Sequence, residues 1–300
     1  MKVLVNLNNK VDVFQIKDEH RKRLTEEFPQ HEFHFCDSYE DFKEKIEWAE
    51  FGVVWFFPEK LFQSAVNLKK LFTPSAGKDW VAVDYTGKAK TYFSSYHGHM
   101  IVESFLAMLL YHNNGLAHAV KNQSKNLWDR NAFGQRSLLK NKSVLIVGHG
   151  NIGEICAGQL QSLGVKVTGA CRNLEKQTCC DLRTLSNLDQ YIGEYDIILD
   201  LLPGGDNTRG FISEELIGQM KKGVLFFNFG RGSTVDQNAL IKYLKSGHIE
   251  FAGLDVFDEE PLDENSELWS LPNALLTPHT SCCYTDYLHL FIDELRIKMQ

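Results

Sequence analysis

The stretch SVLIVGHGNIGEICAGQL, residues 143–160, decides the fold of this chain. It begins with apolar residues at 144–147, which predict a buried strand. Three glycines follow with the spacing G-x-G-x-x-G. Apolar residues then recur at helical spacing, which predicts an amphipathic helix. They are Ile152, Ile155, Cys156, Leu160 and Leu163.

A glycine turn between a strand and a helix is typical of a dinucleotide site. The first glycine makes the tight turn, the second lets a pyrophosphate approach the backbone, and the third allows close packing of helix on strand. The N–H groups at the start of the helix favour phosphate. We therefore expect the cofactor to contact Gly148, Gly150, Asn151, Ile152 and Gly153.

The next predicted strand distinguishes between two cofactors. In NAD-binding folds an acidic residue about twenty positions after the glycines accepts hydrogen bonds from the ribose. Here the strand VKVTGA ends at Cys171, Arg172 and Asn173, without a carboxylate. Arg172 is suited to the extra phosphate of NADP. We predict NADP, with NAD as the second choice and Arg172 and Asn173 at the ribose; the alternative is that Arg172 is only a solvated surface residue.

Strand-like and helix-like patterns alternate along the whole chain. Short runs that are apolar on both faces suit parallel strands covered by helices. The sequence therefore predicts an α/β fold with two doubly wound parallel sheets. The runs lie at 3–5, 33–35, 53–55, 70–72 and 81–83, and then at 144–147, 165–168, 196–202, 224–229, 251–257 and 274–277.

Composition excludes several classes of protein. The chain has 300 residues, 43% of them hydrophobic, which predicts a soluble globular protein of two domains. A net charge of −7 argues against a nucleic-acid partner, which needs a basic face. Neither a membrane-spanning run nor a signal peptide is recognisable, so no membrane partner is expected and the expected location is the cytoplasm.

The seven cysteines are an odd number, which favours reduced thiols. The adjacent pairs Cys179-Cys180 and Cys282-Cys283, together with His97, His99 and His279, leave a zinc site open as an alternative. The spacings C-x-x-C and H-E-x-x-H are both absent from the sequence. We therefore expect no metal.

Three polar residues follow predicted strands of the second series. They are Arg231 in NFGRG, Glu260 in DVFDEEPL and His279 in TPHTS. Ligands of open α/β sheets bind beyond the carboxyl ends of the strands, so these side chains are expected to converge. Each has an alternative interpretation as a solvated surface residue.

Five segments together resemble the D-isomer-specific 2-hydroxyacid dehydrogenase family over most of residues 98–280. In order, they are GHGNIG, LLPGGDNT, MKKGVLFFNFGRGSTVD, GLDVFDEEPL and LLTPH. The resemblance implies a catalytic group of Arg231, Glu260 and His279, where the glutamate is the one directly before Pro261. It also implies further cofactor contacts, at Leu202, Pro203, Phe229, Gly230 and Asp255.

The same resemblance assigns the substrate loop and the domains. The loop PSAGKD resembles the family's glycine-rich loop, so Ser75, Ala76 and Gly77 are expected to hold the substrate carboxylate together with Arg231, with Ser75 replacing a common glycine. The expected domains are a flavodoxin-like substrate domain, 1–97 and 281–300, and a Rossmann domain, 98–280. A homodimer is expected through the apolar stretch 100–112 and the following GLAHAV.

The implied activity is reduction of a small 2-oxo acid, glyoxylate or hydroxypyruvate, by NADPH. His279 would donate the proton, Glu260 would orient its ring, and Arg231 would hold the carboxylate. Asp255 is expected at the nicotinamide carboxamide, with a strand-end cap as the alternative.

Two alternative functions are an NAD-dependent phosphoglycerate-type dehydrogenase and a non-catalytic scaffold like the C-terminal-binding proteins. The segments at 96–99 and 280–283 depart from the family pattern, which leaves the substrate open.

Overall fold

The protein divides into two compact units. The structure, a computed structural model, describes residues 1–84, 86–131 and 136–299. The first unit comprises Met1–His97 and Cys282–Gln300, and the second comprises Gly98–Ser281. The second unit thus ends one residue past the expected end at residue 280.

Helices and strands alternate in both units. The first part of the chain forms β1 (Lys2–Asn6), α1 (Asp18–Glu27), β2 (Glu32–Phe35), α2 (Tyr39–Lys45), β3 (Phe51–Val54), β4 (Lys70–Thr73) and β5 (Lys90–Phe93). The second unit contains α3 (Gly98–Asn113), α4 (Leu116–Gln123), β6 (Ser143–Val147), α5 (Asn151–Ser162), β7 (Lys166–Cys171), β8 (Asp181–Thr184), β9 (Ile197–Asp200), α6 (Glu214–Gln219), β10 (Val224–Asn228), α7 (Gln237–Lys245), β11 (Ile249–Leu254) and β12 (Ala274–Leu276). The last helix is α8 (Tyr287–Lys298).

The first unit is built on a five-stranded parallel sheet in the order β2-β1-β3-β4-β5. This is the flavodoxin-like order expected for a doubly wound domain. All four residues of β3 are buried, because helices cover both faces of the sheet. The fold class predicted from the sequence is confirmed for this unit.

One predicted strand of the first unit is wrong. Residues 81–83 form no strand, and Val81 pairs with Phe57 in a single isolated bridge. The edge of the sheet is instead β5, which pairs with β4. The sequence KTYF of β5 mixes charged, polar and aromatic residues, because an edge strand is only partly covered.

The second unit carries a seven-stranded parallel sheet in the order β12-β11-β10-β9-β6-β7-β8. The chain runs outward from β6 to β8 and then returns to β9 on the other side of β6. The order therefore reverses between β6 and β9, the place where such sheets bind ligands. The sequence predicted six of the seven strands; β8, with the sequence DLRT, gave no apolar signal.

Helix α5 packs its apolar face on this sheet. Cys156, Ala157 and Leu160 are fully buried, as helical spacing requires. Leu163 was predicted on the same face, but it follows the last helical residue and is 50% exposed. The helix therefore ends at Ser162, one residue before the last position of the apolar pattern.

Helix α8 belongs to the first unit although it comes last in the chain. One face of the helix is buried, and Arg296 Nε donates to Glu27 Oε2 of α1 at 2.6 Å; the buried residues are Tyr287, Leu288, Phe291, Ile292 and Leu295. No helix in the described ranges has the length and apolar character needed to cross a membrane. The seven cysteines are all free thiols.

Candidate active site

The three glycines of the turn have different surroundings. A Cβ on Gly148, whose φ is +92°, would lie 2.8 Å from the main chain of Leu201. A Cβ on Gly153 would lie 3.3 Å from Ile146, because α5 packs closely on β6. A Cβ on Gly150 would meet nothing within 4 Å. Packing therefore explains the first and third glycines, whereas the second faces open space.

That open space fits a pyrophosphate. Gly150 precedes the first residue of α5, so the turn exposes N–H groups of the first helical residues, Asn151 and Ile152, which an α-helix leaves without internal acceptors. These donors and the helix dipole favour an anion at this end. The glycine turn therefore fits the dinucleotide that the sequence indicates.

Two neighbouring strand ends approach the turn. A Cβ on Gly230, after β10, would lie 2.8 Å from the main-chain nitrogen of Leu202, after β9. Leu202 and Phe229 are buried and Pro203 is exposed. The structure thus brings the segments that carry these four predicted cofactor contacts together at the carboxyl ends of β9 and β10.

Arg172 and Asn173 follow β7 on the other side of the turn. Both side chains are exposed. The Asn173 amide oxygen accepts the Glu175 N–H at 2.9 Å, which shapes the loop. Among the described residues, the Arg172 guanidinium has no hydrogen bond or ion pair, so both of its possible roles stay open.

His279 and Glu260 form a hydrogen-bonded pair in the second unit. His279 follows β12, and its Nδ1 lies 2.8 Å from Glu260 Oε2, after β11. The other carboxylate oxygen, Oε1, accepts the Phe257 N–H at 3.0 Å. This contact orients Glu260 toward the imidazole ring.

The Glu260 carboxyl is held in its charged form. Burial raises its pKa, but the hydrogen bonds from His279 and the Phe257 N–H, together with the charge of Arg231, outweigh that effect and leave the pKa below its usual value. Arg231 is therefore close enough to act on Glu260 electrostatically. The structure thus brings the predicted catalytic residues together at the ends of the adjacent strands β10, β11 and β12.

Asp255 anchors the segment that carries His279. Its carboxylate is fully buried and accepts hydrogen bonds from Thr277 Oγ1 at 2.6 Å, the Thr280 N–H at 2.8 Å and the Ser281 N–H at 3.0 Å. The His279 N–H donates to the Asp255 carbonyl at 2.8 Å. These contacts support the strand-end cap named as the alternative for Asp255, and its contact with a cofactor stays a prediction.

The turn that carries Arg231 is shaped by Asn228, which sequence reasoning missed. Its side chain accepts the Gly230 N–H at 3.0 Å and donates to the Arg231 carbonyl at 3.1 Å. The Arg231 guanidinium donates to the Gly230 carbonyl at 2.8 Å. Asparagine at the end of a buried strand, where it meets turn main chain, was the available signal.

The predicted substrate loop lies in the first unit, directly after β4. Ser75 Oγ donates to the Gly77 carbonyl at 3.0 Å, which makes the loop compact. Within the described residues, the N–H groups of Ala76 and Gly77 have no hydrogen-bond acceptor. Main-chain donors of this kind suit a carboxylate, and the role of the loop in substrate binding stays a prediction.

Comparison with known proteins is consistent with this site. The family model "D-isomer specific 2-hydroxyacid dehydrogenase, NAD binding domain" matches residues 106–281. A glyoxylate reductase of Thermofilum pendens is 31% identical over 228 residues, which are 73% of this chain and 67% of that protein. A probable 2-ketogluconate reductase of Dictyostelium discoideum is 35% identical over 182 residues, 58% of this chain. That match spans 54% of the relative's length, little more than half.

A solved structure resembles the fold of the whole chain. It is a D-isomer specific 2-hydroxyacid dehydrogenase from Xanthobacter autotrophicus Py2, in complex with NADPH and MES. The TM-score is 0.82 at 25% identity, and the match covers 99% of this chain and 95% of the other.

Proposed function

Because this chain belongs to the D-isomer specific 2-hydroxyacid dehydrogenase family, we propose that it reduces a small 2-oxo acid to the 2-hydroxy acid with NADPH. The observation that carries the proposal is the pair formed by His279 Nδ1 and Glu260 Oε2, 2.8 Å apart, close to the charge of Arg231. A proton donor beside a carboxylate-binding cation is what reduction of a 2-oxo acid requires.

The chain supplies the proton and the orientation of the substrate. Glu260 engages Nδ1 of His279, so Nε2 is the ring nitrogen left to carry the proton to the substrate oxygen. Arg231 binds the substrate carboxylate and polarises the neighbouring carbonyl. When the cofactor is bound, its nicotinamide supplies the hydride.

The glycine turn is the cofactor site in this proposal. Gly150 and the first N–H groups of α5 hold the pyrophosphate, and the loop after β7 holds the adenosine ribose. NADP is favoured over NAD because β7 ends without an acidic residue. The solved neighbour from Xanthobacter autotrophicus Py2 contains NADPH, which supports the same choice.

Glyoxylate and hydroxypyruvate are the substrates to test. The glyoxylate reductase from Thermofilum pendens supports this choice. Initial rates of cofactor oxidation are measured with each acid, using NADPH and NADH in parallel at equal concentration. We expect turnover with at least one of these acids and faster turnover with NADPH.

Each other outcome points to one of the alternatives. Turnover with NADH alone keeps the enzyme and rejects the cofactor choice, as for a phosphoglycerate-type dehydrogenase. Cofactor binding without turnover on a wider panel of 2-oxo acids rejects the enzyme in favour of a scaffold like the C-terminal-binding proteins.

A homodimer in the cytoplasm completes the proposal. Helix α3 buries most of its apolar residues within its own unit, so it is less suited to a partner than the sequence indicated. The segment after α3 is better suited to a dimer contact, because it exposes large apolar side chains, namely Leu116, Val120, Leu127 and Trp128. The free thiols support a reducing compartment.

A further inference from the structure

Glu154 links the loop after β7 to the glycine turn through hydrogen bonds. It lies in the first turn of α5, and its Oε2 accepts Thr178 Oγ1 at 2.5 Å. Its Oε1 accepts the Cys179 N–H at 2.8 Å, and His149 Nε2 lies 2.9 Å from Oε2. We call these four residues the Glu154 clasp. It ties residues 172–180 to the place where the pyrophosphate would bind.

Hydrogen bonds satisfy the Glu154 carboxylate at the centre of the clasp. Burial raises the pKa of Glu154, but the hydrogen bonds from Thr178 and Cys179 outweigh that effect and lower the pKa to about 2. Burial lowers the pKa of His149, which favours its neutral ring. A neutral ring with its proton on Nε2 donates to Glu154. The carboxylate is thus charged, and its donors satisfy it locally.

The same loop presents a lysine at the turn. The Lys176 ammonium donates to the main-chain carbonyl of His149, between Gly148 and Gly150. Lys176 is half-buried, whereas Arg172 is exposed and, in the described part of the chain, has no hydrogen-bond or ion-pair partner. An ammonium group has three N–H donors, so one bond to a carbonyl leaves two for an anion. Lys176 is therefore the cation that the fold holds beside the glycine turn.

We propose that Lys176 pairs with the 2′-phosphate of NADPH and that the Glu154 clasp positions it there. This inference rests on the proposed function, because it assumes that the turn binds a dinucleotide. It assigns most of the NADPH preference to Lys176 and a smaller part to Arg172. A charged amine at the end of a flexible side chain binds a phosphate as a point charge, so its position decides its contribution.

Direct binding separates the inference from the proposed activity. Calorimetric titration compares adenosine 2′,5′-bisphosphate (2′,5′-ADP) with 5′-AMP, which lacks only the 2′-phosphate, and NADPH with NADH. The variants are Lys176→Gln, Arg172→Gln and the control Lys166→Gln, an exposed lysine at the start of β7. We expect Lys176→Gln to weaken 2′,5′-ADP about tenfold or more, the scale of one charge-assisted hydrogen bond. The affinity for 5′-AMP should stay within about twofold of the wild-type value, and Lys166→Gln should match the wild type with both ligands.

A second variant tests the clasp. Glu154→Gln replaces one acceptor oxygen by an amide that cannot accept from Thr178 or Cys179. A positioning role predicts a smaller ratio of 2′,5′-ADP affinity to 5′-AMP affinity, whereas a merely structural defect would weaken the binding of both ligands alike.

Three results would overturn the inference. The first is a Lys176→Gln variant that keeps the wild-type ratio of 2′,5′-ADP affinity to 5′-AMP affinity. The second is a fall of this ratio in Arg172→Gln alone. The third is a wild type that binds both nucleotides equally. The last would leave an NAD-linked dehydrogenase in place. A wild type that binds no dinucleotide at all would reject the proposed function as well.

Discussion

His279 is held in an uncommon backbone conformation by its neighbours. Its φ is 54°, a left-handed value that few residues other than glycine adopt. The bond from the His279 N–H to the Asp255 carbonyl maintains that conformation, and the contact with Glu260 orients the ring. Outliers of this kind persist where the surroundings overdetermine them, often at functional sites.

Replacement of His279 by Ala tests its proposed role as the proton donor. We expect kcat to fall by about 10²–10⁴, the usual contribution of a positioned acid. NADPH affinity should stay near that of the wild type, because the glycine turn is built from other residues. Turnover and cofactor fluorescence titration measure the two effects. Loss of both together would contradict the assignment.

Asp200 predicts a pH dependence of stability. Its side chain is fully buried at the end of β9, and burial raises its pKa to about 7 despite the hydrogen bonds from Thr234 and the Leu202 N–H. Between its unfolded pKa, about 4, and this value, the folded protein holds a proton that the unfolded chain has released. Stability should therefore fall as pH rises through this window.

The variant Asp200→Asn imitates the protonated side chain. Its amide can donate to Thr234, while its oxygen accepts the Leu202 N–H. Urea denaturation at pH 5 and pH 8 should show a wild-type loss on the order of 2–3 kcal/mol that the variant lacks. The exposed control Asp189→Asn should keep the wild-type dependence. An equal loss in Asp200→Asn would show that another group is responsible.

At the scale of elements, Gly150 and Gly158 make a matched pair on α5. A methyl group on either would meet nothing within 4 Å inside the protein. Gly150→Ala should cost at most about 1 kcal/mol of stability, as a poorer N-cap, but weaken dinucleotide binding at least about tenfold. Gly158→Ala should leave binding unchanged and raise stability by up to about 1 kcal/mol.

Titration with NADPH and urea denaturation of both variants give the two quantities. Unchanged NADPH affinity in Gly150→Ala would show that the open space at the turn is not the pyrophosphate site.

Elements with a strong local pattern were predictable from the sequence, and others were not. The apolar run at 144–147 and its three glycines specify a strand, a turn and a helix within eighteen residues. Strands β5 and β8 lie at sheet edges, where partial cover removes the apolar signal. The run 81–83 is apolar without being a strand, since its pairing with the neighbouring segment is a single isolated bridge between Val81 and Phe57.

The candidate site likewise contains residues that were predictable from the sequence and residues that were not. Arg231, Glu260 and His279 could be selected because each follows a recognisable strand of one sheet. The Glu154 clasp could not, because Glu154 and Thr178 are 24 positions apart and meet only through the path of an irregular loop. The position of Lys176 depends on the path of the same loop.

For the whole molecule, the exposed apolar residues after α3 predict self-association. We expect the wild type to be a dimer by light scattering, and Val120→Asp combined with Trp128→Asp to be a monomer. Both side chains are largely exposed, so a charge there should not disturb the core. Val66→Asp, an equally exposed apolar position in the first unit, is the control. A monomeric wild type would reject the dimer.

The division of the chain between the two units also has a consequence for its synthesis. The second unit is one uninterrupted segment, Gly98–Ser281, whereas the first also needs α8, which is translated after the second unit. Domains generally fold as units while the chain is being made. The second unit can therefore complete its core first, whereas α1 lacks its contact with α8 until Arg296 can donate to Glu27. The first unit thus begins to be translated before the second unit and finishes folding after it.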